Sequence, residues 1–132
     1  MKINSEKTKV ILCNNARNYD FLPKCTFGDD NELEVVEEIK LLGVMVTSDL
    51  KWNAHCDLIC QKAFSRLWMI RRLKPLGATV DDLLEIYITQ IRSILEFAVP
   101  AWNPGLTKVL IYQLERVQKC AFALILDKEY IC

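Results

Sequence analysis

The sequence predicts an α+β fold: short antiparallel strands first, then three helices. Three observations predict it. From Lys7 to Val46 the chain alternates β-branched or apolar runs with polar turns. From Trp52 onward apolar residues recur at helical spacing. No internal repeat returns the second half to strands, so the two kinds of element are segregated along the chain. The 132 residues, 52% hydrophobic and 26% charged, are enough to bury a core and too apolar for a disordered chain.

The run KTKVILC, Lys7 to Cys13, reads as the first strand, and the polar connector NNARNYDFLP follows it. KCTF, the turn GDDNE and LEVV read as a hairpin, because Gly, Asp and Asn are the residues a tight turn prefers. IKLLGVMV, Ile39 to Val46, reads as one more strand, and its near-continuous apolarity predicts cover on both faces. Gly43 inside it marks a bulge or a place where another backbone or a ligand comes close.

Cys56, Ile59, Ala63, Leu67 and Ile70 share one face of a helix from about Trp52 to Leu73. Ser48 or Asp49 would cap its start, and Pro75 with Gly77 would end it. Thr79 is the expected N-cap of a second helix, with Asp81 and Asp82 in the first turn, where the helix dipole favours negative charge. That helix is expected to run on to Pro100. Leu83, Tyr87, Ile91, Ile94 and Ala98 line one side and Leu84, Ile88 and Leu95 another, a pattern that predicts a central helix. AWNPG reads as a turn. Thr107 then caps a third helix, with Leu110, Leu114, Val117, Ala121 and Leu124 inward and a Glu115/Lys119 pair outward.

No apolar run approaches the roughly 20 residues that span a bilayer. The opening MKINSEKTKV lacks the apolar core of a secretory signal, so the expected location is intracellular, with nucleus and cytoplasm not distinguished. The six cysteines sit in apolar surroundings without the tight spacing of a disulfide scaffold, and read as small buried hydrophobes. His55, Cys56 and Cys60 suggest a metal only until a second ligand pair is sought downstream and not found.

Net charge is zero overall but unevenly spread. Residues 51–76 carry six basic groups against Asp57 alone, a net of +5, while the segments on either side are net acidic. Affinity for a polyanion should therefore reside in the middle third. On the first long helix Lys62 and Arg66 share a face at i,i+4. Phe64 and Trp68 interleave with the cations and suit either base stacking or packing. Arg71, Arg72 and Lys74 fall in the last turn, where positive charge suits a helix C-terminus.

Gly28-Asp29-Asp30 resembles the catalytic turn of viral RNA polymerases. That chemistry needs a third carboxylate on an earlier strand, and the turn preference explains these residues more simply. Asp81 and Asp82 are explained by the helix dipole. His55 has no evident nucleophile beside it. Neither a catalytic nor a metal-binding set is complete in this sequence.

Five segments taken in order carry a resemblance. INSEKTKVILC, EEIKLLGVMVTSDLKWNAHC, LWMIRRLKPLG, ILEFAVPAWNP and QLERVQKCAFALIL together resemble the C-terminal palm-end and thumb of non-LTR (LINE-type) retrotransposon reverse transcriptases. The family's N-x-x-K-T element matches Asn4, Lys7 and Thr8, and its K-x-L-G primer grip matches Lys40, Leu42 and Gly43. Its W-x-x-H helix start matches Trp52 and His55. The L-E-(Y/F)-A…W-x-P element matches Leu95, Glu96, Phe97, Ala98, Trp102 and Pro104, and the closing L-E-x-x-Q-(K/R) matches Leu114, Glu115, Gln118 and Lys119.

The resemblance implies that residues 1–47 are palm-end strands and residues 48–132 a helical, thumb-like region of an RNA-directed DNA polymerase. It implies that Gly43 lets the primer's terminal sugar-phosphate approach, and that Trp52 and His55 fix the helix to the sheet. Lys7, Thr8, Lys40, Leu42, Gly43, Lys62 and Arg66 become the expected contacts to an RNA–DNA hybrid or template–primer duplex, without sequence specificity. The family's magnesium-binding aspartates, including its Tyr/Phe-x-Asp-Asp strand, would precede Met1. The chain alone is therefore expected to be a truncated copy, inactive and without a cofactor of its own. The alternative reading is a non-catalytic helical interaction module, or domesticated relic, that self-associates through apolar surface left exposed.

Overall fold

The structure is a computed structural model and describes residues 8–13, 25–27 and 31–127. The architecture is α+β, with strands preceding helices. The chain divides into two compact units, Met1–Ala54 and His55–Cys132, where the sequence reading set its boundary after residue 47.

Among its described residues the first unit holds three two-stranded ladders. β1 (Lys9–Ile11) pairs with β4 (Glu34–Val36) in parallel, not in the antiparallel sense expected throughout. Lys9 lies opposite Glu34, and their side chains form an exposed ion pair of 3.0 Å. β2 (Thr26–Phe27) and β3 (Asn31–Glu32) make the antiparallel hairpin, closed by the Leu33 amide donating to the Cys25 carbonyl at 2.9 Å. The expected hairpin partner LEVV thus contributes only its first residue to this hairpin, while Glu34–Val36 turns to β1. The Gly28-Asp29-Asp30 turn lies outside the described residues.

The expected single strand Ile39–Val46 is in fact two. β5 (Glu38–Leu41) and β6 (Val44–Thr47) form an antiparallel hairpin in which Lys40 faces Met45 and Leu41 faces Val44. The two residues between them, Leu42 (φ 47°) and Gly43 (φ 91°), both have positive φ, as a type I′ turn requires. That turn is normally signalled by Asn-Gly or Asp-Gly, so an apolar leucine at its first position disguised it as strand. Cover on both faces is confined to β6, where Val44 is buried and Met45, Val46 and Thr47 are half-buried, while Leu41 and Leu42 are exposed.

α1 (Asn53–Leu73) follows. Asp49 does not cap it. Its carboxylate accepts from the Thr47 hydroxyl (2.7 Å) and the Lys51 amide (3.1 Å), bracing a turn in which Leu50 is left-handed. Pro75 sits in a 3₁₀ turn, Lys74–Leu76, and Gly77 (φ 91°) closes it in the left-handed region that an L side chain resists. Thr79 caps α2 (Val80–Ile86) as expected: its hydroxyl accepts from the Asp82 amide, and the Asp82 carboxylate accepts from the Thr79 amide at 2.9 Å.

The second helix then departs from expectation. A π-helical stretch, Tyr87–Arg92, joins α2 to α3 (Ser93–Leu95), and the helical path ends there instead of at Pro100. Its buried residues Leu83, Tyr87, Ile91 and Leu95 recur every fourth position. On a 3.6-residue helix such a repeat drifts by about 40° per step; the wider π turns absorb the drift and keep the row facing the core. The Thr89 and Ser93 hydroxyls donate to the carbonyls of Glu85 and Thr89 across this region. Ile88 is 53% exposed, so the helix is buried on one side and is not central.

Ala98, left-handed at φ 53°, turns the chain into α4 (Val99–Trp102) and a 3₁₀ turn, Asn103–Gly105, where a simple turn was expected. Thr107 caps α5 (Lys108–Leu126), its hydroxyl accepting from the Leu110 amide. Glu115 and Lys119 pair at 3.2 Å on the outside of that helix. The core of the helical unit joins Ala63, Leu67 and Ile70 of α1 to Leu83, Tyr87, Ile91 and Leu95, and to Val117, Ala121 and Ile125 of α5.

Candidate nucleic-acid interface

Two groups of the expected contact residues are each brought together locally. Lys40, Leu42 and Gly43 share the β5–β6 hairpin. Leu42 is 87% exposed at its tip, Gly43 offers bare backbone beside it, and Lys40 is exposed on β5. A leucine held left-handed costs about 1–2 kcal/mol relative to its ordinary conformations. This one gains no burial to offset the cost. Thr8 is half-buried just ahead of β1, and Lys7 lies outside the described residues.

Lys62 and Arg66 lie a turn apart on one flank of α1, both exposed. With Arg71 and Arg72 they form no ion pair among the described residues. Their charge is therefore uncommitted. Trp68 is 56% exposed on the outward face, one turn from Arg72, so its ring is available for stacking and is not core.

Lys74 belongs to neither group. Its ammonium donates to the carbonyls of Leu124 and Ile125 (the latter at 3.1 Å) and to the Asp127 carboxylate at 2.6 Å. The expected C-terminal cation thus serves α5, satisfying carbonyls that no helical amide reaches.

His55 and Trp102, matched to separate motifs, meet in the helical unit. The imidazole is buried and stands edge-on to the indole at 5.4 Å, while the indole N–H donates to the Phe97 carbonyl at 2.9 Å. His55 therefore ties α1 to α4 within the helical unit. Burial first, and the Lys62 charge second, hold its pKa below the ordinary histidine value. Burial also pushes the Cys56 and Cys60 thiols up to about 11, which leaves them protonated and unreactive at neutral pH. Cys120 is buried as expected, whereas Cys25 is half-buried and Cys13 is exposed; Cys132 lies outside the described residues.

A groove between α1 and α5 was not anticipated from sequence. It encloses about 330 Å³ and is lined by Asp57, Cys60, Gln61, Phe64, Gln113 and Arg116. The Arg116 guanidinium lies 5.9 Å from the Phe64 ring centroid. The side-chain oxygen of Gln113 is buried with no hydrogen-bond partner among the described residues. Such an acceptor costs roughly 1–3 kcal/mol when left unsatisfied. The sequence signal was there: Gln113 stands between Leu110 and Val117 on the inward side of an otherwise apolar helix face.

Among the described residues no three His, Cys, Asp or Glu side chains cluster as a metal site. Among them no helix is long and apolar enough to cross a membrane. Compared with known proteins, the chain matches no family model, no curated protein and no solved structure.

Proposed function

We propose that this chain is the palm-end and thumb portion of a non-LTR retrotransposon reverse transcriptase, gripping a template–primer duplex without reading its sequence. The metal-binding aspartates of that polymerase would lie outside these residues. The observation that carries the reading is the β5–β6 tip. There a strained, exposed leucine precedes a glycine with no side chain, beside an exposed lysine, at the residues matched to the primer grip. Strain without burial is what a contact surface retains and a purely structural turn discards. The uncommitted cations of α1 are by themselves suited to phosphate contacts.

Gel shift of an RNA–DNA hybrid across a salt series tests it. Binding that weakens steeply with salt and ignores base sequence is the expected result. An absent or salt-insensitive complex would overturn the proposal.

A second reading, a self-associating helical module, is favoured by one observation. α5 exposes Val109, Ile111, Tyr112, Phe122 and Leu126. Light scattering separates the two: a stable monomer that binds the hybrid supports the grip, and an oligomer indifferent to it supports the module.

A further inference from the structure

We propose that the outward face of α1 around Trp68 binds an unpaired stretch of nucleic acid, stacking a base on the indole between Arg71 and Arg72; the ligand class rests on the nucleic-acid reading above. α1 already buries a full apolar row, with Ala63, Leu67 and Ile70 in the core. Trp68 stands off that row and is 56% exposed, whereas Trp102 is 2% exposed. An indole so placed leaves a large apolar ring in water.

The charge beside it is equally unspent. Successive residues of an α-helix are turned by about 100°, which sets Arg71 about 60° to one side of Trp68 and Arg72 about 40° to the other. Both are exposed, and neither forms an ion pair among the described residues. The carbonyls of Leu73 and Lys74 accept from the Ala78 and Gly77 amides, so the arginines are not needed as caps there. Elsewhere in the helical unit cations settle near rings: Arg116 lies 5.9 Å from the Phe64 centroid and Lys119 5.6 Å from that of Tyr112. Among the described residues no cation does this at Trp68. The single carboxylate of α1, Asp57, lies about three turns back.

An open ring flanked by two free cations suits a polyanion that also presents flat rings. A paired duplex offers phosphates but keeps its base faces stacked inside, and a single strand offers both. An acidic peptide would engage the arginines and leave the indole idle. A membrane surface would call for the apolar side of the helix, which is turned into the core. Stacking is tolerant of sequence, because every base has a π-face. The site therefore adds strand preference, not base preference, to the proposed grip.

Anisotropy titrations of the full chain with labelled oligothymidylate and with a blunt RNA–DNA hybrid of equal length test it. Trp68→Leu should weaken oligothymidylate binding roughly tenfold and hybrid binding by less than about twofold. Trp68→Tyr, which restores a ring face, should recover most of the loss. Both variants alter an exposed residue and should melt near the unaltered chain. Arg71→Gln with Arg72→Gln should shrink the single-strand slope of log affinity against log salt by about 1.4. Absent oligothymidylate binding, or equal losses for strand and hybrid in Trp68→Leu, overturns the site. Polyglutamate or phosphatidylserine vesicles bound as tightly as oligothymidylate overturn it as well. Hybrid binding in the gel shift with single-strand binding indifferent to Trp68 defeats this inference alone. Trp68-dependent single-strand binding without hybrid binding defeats the duplex grip alone.

Discussion

The imidazole of His55 meets the indole of Trp102 edge-on, with planes inclined at 64°, and through that contact the start of α1 is fastened to α4. His55 is the single histidine of the chain, so its titration can be followed without ambiguity.

Because burial lowers the His55 pKa from 6.5, the unfolded chain binds a proton more readily than the folded one. The associated stability is complete above about pH 6.5 and is lost as pH falls below that value toward the lowered folded pKa. Thermal melts between about pH 8 and about pH 5 should show a falling midpoint that His55→Phe flattens. An equally steep fall in the variant would place the effect elsewhere.

Lys74 closes the helical unit by reaching the end of α5. Its side chain is mostly buried, and Lys74→Met removes the donor while keeping the aliphatic stem. A loss of roughly 1–3 kcal/mol is expected in urea denaturation. Arg71→Ala, an exposed cation three residues earlier on α1, should stay within about 0.5 kcal/mol of the parent.

At the hairpin tip, stability and binding should move in opposite directions. Leu42→Gly relieves the left-handed leucine and should raise the stability of the strand unit by up to about 1 kcal/mol. The same change should weaken hybrid binding several-fold in the gel shift. A variant both more stable and equally tight would show the leucine to be incidental.

Lys62→Ala with Arg66→Ala removes two uncommitted charges. Hybrid affinity should drop for all sequences alike, and the slope of log affinity against log salt should shrink by roughly 2. Melting should be little changed, since both residues are exposed and neither forms an ion pair among the described residues.

Much of the helical unit was legible because its signals are local. Thr79 with Asp82, Thr107, Gly77 and the Glu115/Lys119 pair are each decided by residues within one turn, and each formed as read. The misreadings share a cause. Leu42 looks like strand in composition, and only its φ reveals the turn. Ile88 looks buried by its apolarity, yet it stands one position off the inward row of Leu83, Tyr87 and Ile91 and is exposed. Strand partners were the least legible, since the LEVV segment chose between β1 and β2 through pairing distant in sequence. Of the candidate interface, the cations and Trp68 could be named from sequence. The groove could not, because it exists only where α1 and α5 face one another.

The π-helical stretch also fixes how many residues this part of the chain can hold. A π turn takes in about one residue more than an α turn. Deleting a single residue between Tyr87 and Arg92 would therefore restore plain α-helix and swing Leu95 off the inward row it shares with Leu83.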